Sequence, residues 1–201
     1  MFSSVEVRWF YPGKVPTQVQ RWFDQDNKLD PLPERTDFYL RYTGGSLGVK
    51  LRQGYIELKQ NTQHYGPVRF HQSVQGQVEG WQKWSIPVVE ESGIVDSVRG
   101  NTAWLGVLKQ RCLRMFALNR KIKEISPDVY PELGCSWEIT KVSLSDRSDI
   151  WWTVAYEAFG ESQNLKDLLF DVIAHTINST QLSLQIESSS GYPAWIQGLD
   201  K

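Results

Sequence analysis

The stretch SLGVKLRQGYIELKQ, residues 46–60, combines two alternating segments with the pair Gln53-Gly54 between them. Apolar and polar residues that alternate on either side of such a pair predict two antiparallel strands joined by a tight turn. Because successive strand residues point to opposite faces of a sheet, one face of this hairpin carries four charged side chains. They are Lys50, Arg52, Glu57 and Lys59.

Other segments share this period of two and are also predicted to be strands. They are residues 3–10, 36–43, 102–118, 135–144 and 149–160. Their charged residues keep to one face, and their apolar residues keep to the other. The charged positions are Glu6 and Arg8, Lys109 and Arg111, Glu138, and Glu157. The sequence therefore predicts a sheet whose strands each have an apolar side and a charged side.

Two segments have helical spacing. In residues 17–27, Val19, Trp22 and Phe23 recur at helical intervals after a proline, which predicts a short helix. Residues 163–177 contain no glycine or proline, and their leucines, valine and isoleucines form one apolar stripe. We therefore expect helices to cover part of the sheet.

The remaining segments give weaker signals. Alternation is irregular between residues 61 and 100, where PVVEESGIVDSVRG, 87–100, indicates a short helix and a turn. Residues 119–134 are interpreted as a connection, and SSSGYPAWI, 188–196, as a closing turn.

The composition is that of an ordinary globular chain and argues against several classes of protein. Its 201 residues are 40% hydrophobic and 22% charged, which predicts one packed domain over residues 1–201. The net charge of −1 argues against a protein that coats nucleic acid. No run approaches the roughly 18 apolar residues of a membrane helix. With two cysteines and no apolar leader, the expected setting is reducing and cytoplasmic.

Motifs for other chemistries are missing. The sequence has no phosphate-binding glycine loop, no dinucleotide-binding fingerprint and no nucleophile elbow. His64, His71 and His175 lack the spacing of metal ligands, and Cys112 has no histidine near it in sequence. Most of the nine tryptophans fall at or near strand positions, where core packing is a commoner use than base stacking.

The charged face has two explanations on pattern alone. An antiparallel sheet with one face in solvent produces the same alternation. Alternatively, the face lines a site, because clustered cations repel each other unless an anion lies among them. A polyphosphate with a divalent metal would match both signs of charge on this face. Spacing does not choose between the two explanations.

The order of the motifs resembles that of the CYTH superfamily, the triphosphate tunnel metalloenzymes, over residues 4–196. Ser4-Val5-Glu6-Val7-Arg8-Trp9 stands where the family has Glu-x-Glu-x-Lys and an aromatic residue. DFYL, 37–40, and LGVKLRQGYIELK, 47–59, look like the family's next strand and its hairpin.

The later motifs follow in the same order. Lys109-Gln110-Arg111 is similar to the family's K-x-R strand, and Glu138-Ile139-Thr140-Lys141 to the acidic strand after it. VAYEAFG, 154–160, resembles a late acidic strand that ends near glycine, and SGYPAWI, 190–196, resembles the family's ending. Two acids of the family pattern are replaced here, by Ser4 and Thr140, so the chain resembles a divergent member.

The resemblance implies an α+β fold, an antiparallel β-barrel of the triphosphate-tunnel type with helices packed outside and its charged face turned inward. Phosphate would be bound by six basic residues, Arg8, Lys50, Arg52, Lys59, Lys109 and Arg111. A Mg²⁺ or Mn²⁺ ion would be held by Glu6, Glu138 and Glu157. Ser4, Glu57 and Thr140 would be further lining of the tunnel.

The function that the resemblance implies is metal-dependent hydrolysis of inorganic tripolyphosphate or of a nucleoside or thiamine triphosphate. A specific catalytic group is not implied. The alternative is a degenerate domain of the same fold that binds a polyphosphate, a nucleotide or another anion without turnover. Ser4 and Thr140 favour this alternative. A half-solvated β protein with an accidental likeness is the third hypothesis.

Overall fold

A computed structural model describes residues 2–25, 27–41, 44–89, 93–177 and 182–199. Nine antiparallel strands form one sheet, and pairing between its second and sixth strands closes eight of them into a barrel. The predicted α+β barrel is confirmed. A barrel of eight strands has an interior about wide enough for side chains to fill. This barrel and its outside helices are compatible with a tunnel-type fold.

The strands are β1 (Phe2–Pro12), β2 (Arg35–Leu40), β3 (Leu47–Arg52), β4 (Tyr55–His71), β5 (Val74–Pro87), β6 (Trp104–Asn119), β7 (Lys121–Ile125), β8 (Leu133–Leu144) and β9 (Ile150–Gly160). The helices are α1 (Thr17–Asp24), α2 (Ile94–Val98), α3 (Leu165–Ile177) and α4 (Tyr192–Gly198). Around the barrel the order is β2, β3, β4, β5, β1, β9, β8 and β6, which returns to β2. No helix in these ranges is long and apolar enough to cross a membrane.

The hairpin at residues 46–60 forms as predicted. Lys50 pairs with Glu57 across β3 and β4. Gln53 and Gly54 have φ angles of 47° and 79°, and a type I′ turn requires positive φ at both central residues. The turn fixes the register, and a register fixed in this way sets which side chains face the barrel interior.

The irregular alternation after residue 60 has a structural cause. β4 and β5 pair along their length, but the register shifts at Asn61/Gln63, His64/Gly66 and Arg69/His71. Each bulge inserts one extra residue into β4. Beyond the bulge, odd-numbered and even-numbered residues of β4 exchange the faces to which they point. A pattern with a strict period of two therefore fails in this segment.

Two interpretations of the sequence are wrong. Residues 119–134 include β7, which pairs with β6 from Met115 to Asn119. Residues 188–196 include the start of α4, with Pro193 in its first turn, where the missing N–H breaks no helical hydrogen bond. Parts of the predicted strand 36–43 and of the segment 87–100 lie outside the described residues.

The outer face of the barrel packs against α1 and α3. Val5, Val7 and Trp9, which alternate with the charged positions of β1, are buried in the same core as both helices. The apolar stripe predicted for α3 is also buried there. Arg114 is a charged exception, because its Nε donates to the Phe23 carbonyl (2.8 Å) and satisfies the C-terminal end of α1.

The inside of the barrel is apolar at its two ends and charged between them. One end is filled by Trp195 and Ile196 of α4, and Trp195 stacks on Phe10 with ring centroids 4.3 Å apart. The other end contains Leu113 and Phe159 in a second cluster. These apolar ends leave a charged band in the middle of the barrel.

Candidate functional site

The charged side chains predicted from the sequence converge on one cavity in this band. The cavity has a volume of about 130 Å³, which is room for several water molecules or a compact anion. Its lining includes the six predicted phosphate-binding residues, the three predicted metal ligands, Glu57 and Thr140. The charged face is therefore enclosed by the barrel and is not the wet side of an open sheet.

Ser4, the remaining predicted lining residue, is buried beside the cavity. Its hydroxyl helps to lower the pKa of the Glu157 carboxyl, which is part of the lining. Ser4 therefore acts on the cavity through Glu157.

Sequence reasoning missed several lining residues. They are Arg35, Tyr39, Gly48, Trp81, Lys83, Tyr192 and Pro193, and the buried acids Asp37 and Glu79 contact this set. Residues 35, 37 and 39 alternate on β2, and residues 79, 81 and 83 alternate on β5, so the period of two could have identified them. Tyr192 is contributed by α4, for which the strand pattern gives no signal.

Three basic side chains surround Asp37 at the floor of the cavity. Lys109 Nζ lies 3.1 Å and Lys50 Nζ 3.8 Å from Asp37 Oδ2, and Arg35 Nε donates to Oδ1 at 3.1 Å. Burial opposes ionisation, but these three cations hold the pKa of Asp37 below its usual range. The pKa of Lys109 is well below its usual value, because burial and the charges of Lys50 and Arg8 outweigh the attraction of Asp37.

Two tyrosines complete the floor. Lys109 Nζ donates to Tyr39 Oη at 2.6 Å and lies 3.7 Å from the centroid of the Tyr192 ring. The Arg8 guanidinium lies 4.9 Å from the same ring centroid. The first turn of α4 thus presents an aromatic face to two cations, an arrangement that the ring quadrupole favours.

Glu138 holds two arginines. Its Oε1 accepts from Arg8 Nη1 at 2.7 Å, and its Oε2 accepts from Arg111 Nη1 at 3.1 Å. Thr140 adds a hydroxyl 3.4 Å from Oε1. Burial opposes ionisation, but the two arginines hold the pKa of Glu138 below its usual range. The Nε atoms of Arg8 and Arg111 are buried with no acceptor in the described part of the chain.

Lys59 lies among the acids of β1, β5 and β9. Glu6 of β1 lies directly opposite Glu79 of β5 on one side and directly opposite Glu157 of β9 on the other. Lys59 Nζ donates to Glu6 and, at 3.0 Å, to Glu157. Burial raises the pKa of Glu157, but Lys59 outweighs it and brings the value to about 2. Burial and the charge of Glu6 raise the pKa of Glu79 to about 7.

The arrangement of these acids does not fit a divalent metal. No three His, Cys, Asp or Glu side chains within the described ranges are grouped so that they could hold a metal ion. Lys59 joins Glu6 to Glu157, and two arginines hold Glu138, so each predicted ligand already faces a cation. The Mg²⁺ or Mn²⁺ ion stays a prediction from the resemblance.

Basic side chains outnumber acidic ones in the cavity. Eight lysines and arginines line it, against four glutamates. When the buried acids Asp37 and Glu79 are added to the four glutamates, the basic groups still outnumber the acidic groups by two. The whole chain has a net charge of −1. Basic groups are therefore concentrated in an enclosed volume, where the attraction between a charged basic group and an anion is stronger than in water.

The cavity has an accessible rim and a buried floor. The side chains of Arg52, Lys59 and Arg111 are 26%, 25% and 27% exposed. Those of Arg8 and Lys109 are each 7% exposed. An anion that enters past the first three side chains would meet the last two at greater depth.

No protein-family model matches this chain, and a search of curated proteins also gives no match. The link to a tunnel-type fold therefore rests on the closed barrel, the inward charged face and the order of motifs along the chain.

Proposed function

We propose that this barrel is a divergent domain of the triphosphate-tunnel (CYTH) type that binds the triphosphate group of an anionic ligand. The observation that carries the proposal is the excess of basic groups in an enclosed cavity. Arginine offers phosphate oxygens a planar fork of donors, and lysine offers a compact charge. Inorganic tripolyphosphate and the triphosphate group of a nucleoside or of thiamine share this chemistry.

Binding does not require the arginines to leave their internal partner. Arg8 and Arg111 contact Glu138 through Nη1. Their buried Nε–H groups have no acceptor among the described residues, and we propose that phosphate oxygens of the ligand supply one. A buried donor without a partner costs stability, so a ligand that supplies the acceptor gains affinity.

Isothermal titration calorimetry with tripolyphosphate tests the binding. Lys50→Met removes a lining ammonium, while Glu57 still has Arg52 at 3.9 Å. We expect this variant to lose about tenfold or more in affinity, the usual effect of removing one charge-assisted hydrogen bond. Lys141→Met removes the same charge from the exposed side of β8 and is the matched control, with unchanged affinity. An absence of binding to the wild-type protein, or equal losses in the two variants, would contradict the proposal.

Hydrolysis is a separate prediction. The metal-dependent triphosphatase activity implied by the resemblance would add turnover to the binding proposed above. Phosphate release from tripolyphosphate and ATP, measured with Mg²⁺, with Mn²⁺ and with EDTA, tests it. Metal-dependent release would establish a phosphohydrolase, whereas binding without release would favour the non-catalytic alternative.

A further inference from the structure

We propose that the Lys59 ammonium takes the place of a divalent metal, so that the cavity binds its anion without Mg²⁺ or Mn²⁺. This inference rests on the proposed function for the identity of the anion. The assignment of Lys59 as the cation that replaces the metal rests on the contacts that Lys59 makes.

Lys59 lies where a metal ion would otherwise be needed. Glu79, Glu6 and Glu157 are consecutive partners across β5, β1 and β9. Like charges directly opposite each other on neighbouring strands are destabilising. Lys59 relieves this repulsion, because its Nζ contacts Glu6 and Glu157 and lies 5.4 Å from the ring centroid of Trp81. Glu6 and Glu157 thus receive their counter-charge from β4.

Lys59 already makes the contacts that a divalent ion would need, because its Nζ lies within ion-pair distance of both Glu6 and Glu157. Ser4, which replaces a family glutamate, contributes a neutral hydroxyl to Glu157. A metal between Glu6 and Glu157 would also lie beside the Lys59 ammonium and be repelled by it.

Electron paramagnetic resonance measures how tightly the protein binds Mn²⁺. Used with the metal alone and no anion, it tests the role assigned to Lys59. We expect little Mn²⁺ binding by the wild-type protein and an affinity about tenfold or more higher in Lys59→Met, because two carboxylates lose their ammonium. Lys141→Met is the matched control. It removes the same charge from the exposed side of β8 and leaves both carboxylate contacts of Lys59 in place, so it should behave as the wild type does. Mn²⁺ bound as tightly by the wild type as by Lys59→Met would overturn the inference.

Titration of the wild-type protein with tripolyphosphate gives a second test that does not depend on the folding of a variant. The affinity in EDTA should equal that in Mg²⁺, after correction for the complex that Mg²⁺ forms with tripolyphosphate. Binding that appears only with Mg²⁺ overturns this inference and leaves the proposed function standing. Absence of binding in both buffers contradicts the proposed function, and the wild-type Mn²⁺ titration then decides this inference by itself.

Discussion

Trp137 and Glu138 are neighbours on β8 and lie in opposite environments. Trp137 faces the outer core, where its ring stacks on Tyr156 at 5.7 Å. Glu138 faces the cavity and accepts hydrogen bonds from Arg8 and Arg111. Both are buried, but removal of apolar surface from water is stabilising by itself, whereas a buried carboxylate requires a cationic partner. The outer face therefore stabilises the barrel, and the inner face provides its chemistry.

The inner face itself shows the same contrast along the barrel. Its ends are apolar, with Phe10 at one end and Leu113 at the other. Apolar side chains of similar volume often stabilise an interior as well as buried ion pairs do, or better. The charged band between these ends is therefore better explained by ligand binding than by stability.

Truncation on the outer face should have the largest effect on stability. Trp137→Ala removes a fully buried ring that also packs on Trp22 (4.7 Å) and Phe23 (4.8 Å). We expect a loss of about 3–5 kcal/mol in the free energy of unfolding, measured by urea denaturation. Tripolyphosphate affinity should be unchanged at temperatures where the variant is folded. A parallel loss of affinity would show that the two faces are not separable.

On the inner face, Glu79 should make stability depend on pH. Its pKa of about 7, against an ordinary 4.5, means that the folded protein binds the proton more tightly than the unfolded chain does. Stability should therefore fall as pH rises from 4.5 to 7. Glu79→Gln keeps an acceptor for the Gly191 N–H and removes this titration.

The melting temperature measured against pH checks this prediction. Glu79→Gln should match the wild type below pH 4.5 and be more stable above pH 7, by on the order of 2 kcal/mol. If the melting temperatures of the wild type and of Glu79→Gln changed with pH in parallel, the buried, partly protonated state of Glu79 would be contradicted.

The smallest predicted effect is the pH dependence of binding through Lys109. The pKa of Lys109 is lowered in the unliganded protein. An anion in the cavity stabilises the charged ammonium and therefore raises this pKa. The protein should consequently take up protons when the anion binds. Affinity should be full below the lowered pKa and decrease severalfold as pH rises towards the ordinary value of 10.5.

Calorimetry in buffers with different heats of ionisation measures the proton uptake directly. Lys109→Met should bind more weakly and should have a flatter pH profile than the wild type. A wild-type affinity that rises with pH would show that Lys109 does not act as a cation towards the ligand.

The contrast between the two faces also explains what the sequence could predict. The period of two identified strands with chemically distinct sides, and the predicted hairpin turn is confirmed by the positive φ angles of Gln53 and Gly54. The pattern failed between residues 61 and 71, where three bulges exchange the faces of β4. It also missed α4, because its seven residues are too few for a helical stripe to be distinct.

The pairing of charges could not be predicted from any one strand. Arg8 and Glu138 are 130 residues apart and meet only because the barrel closes. The position of Lys59 between Glu6 and Glu157 likewise depends on the order of β4, β5, β1 and β9 around the barrel. The sequence showed which residues are charged and share a face, and the fold decides which of them neutralise each other.

The most direct test of the account is a crystal structure of the protein with tripolyphosphate. We expect density for the anion inside the barrel, with phosphate oxygens within hydrogen-bond distance of the Nε atoms of Arg8 and Arg111. Tripolyphosphate bound only to the outer surface, or a barrel interior that contains only water at saturating ligand, would contradict it.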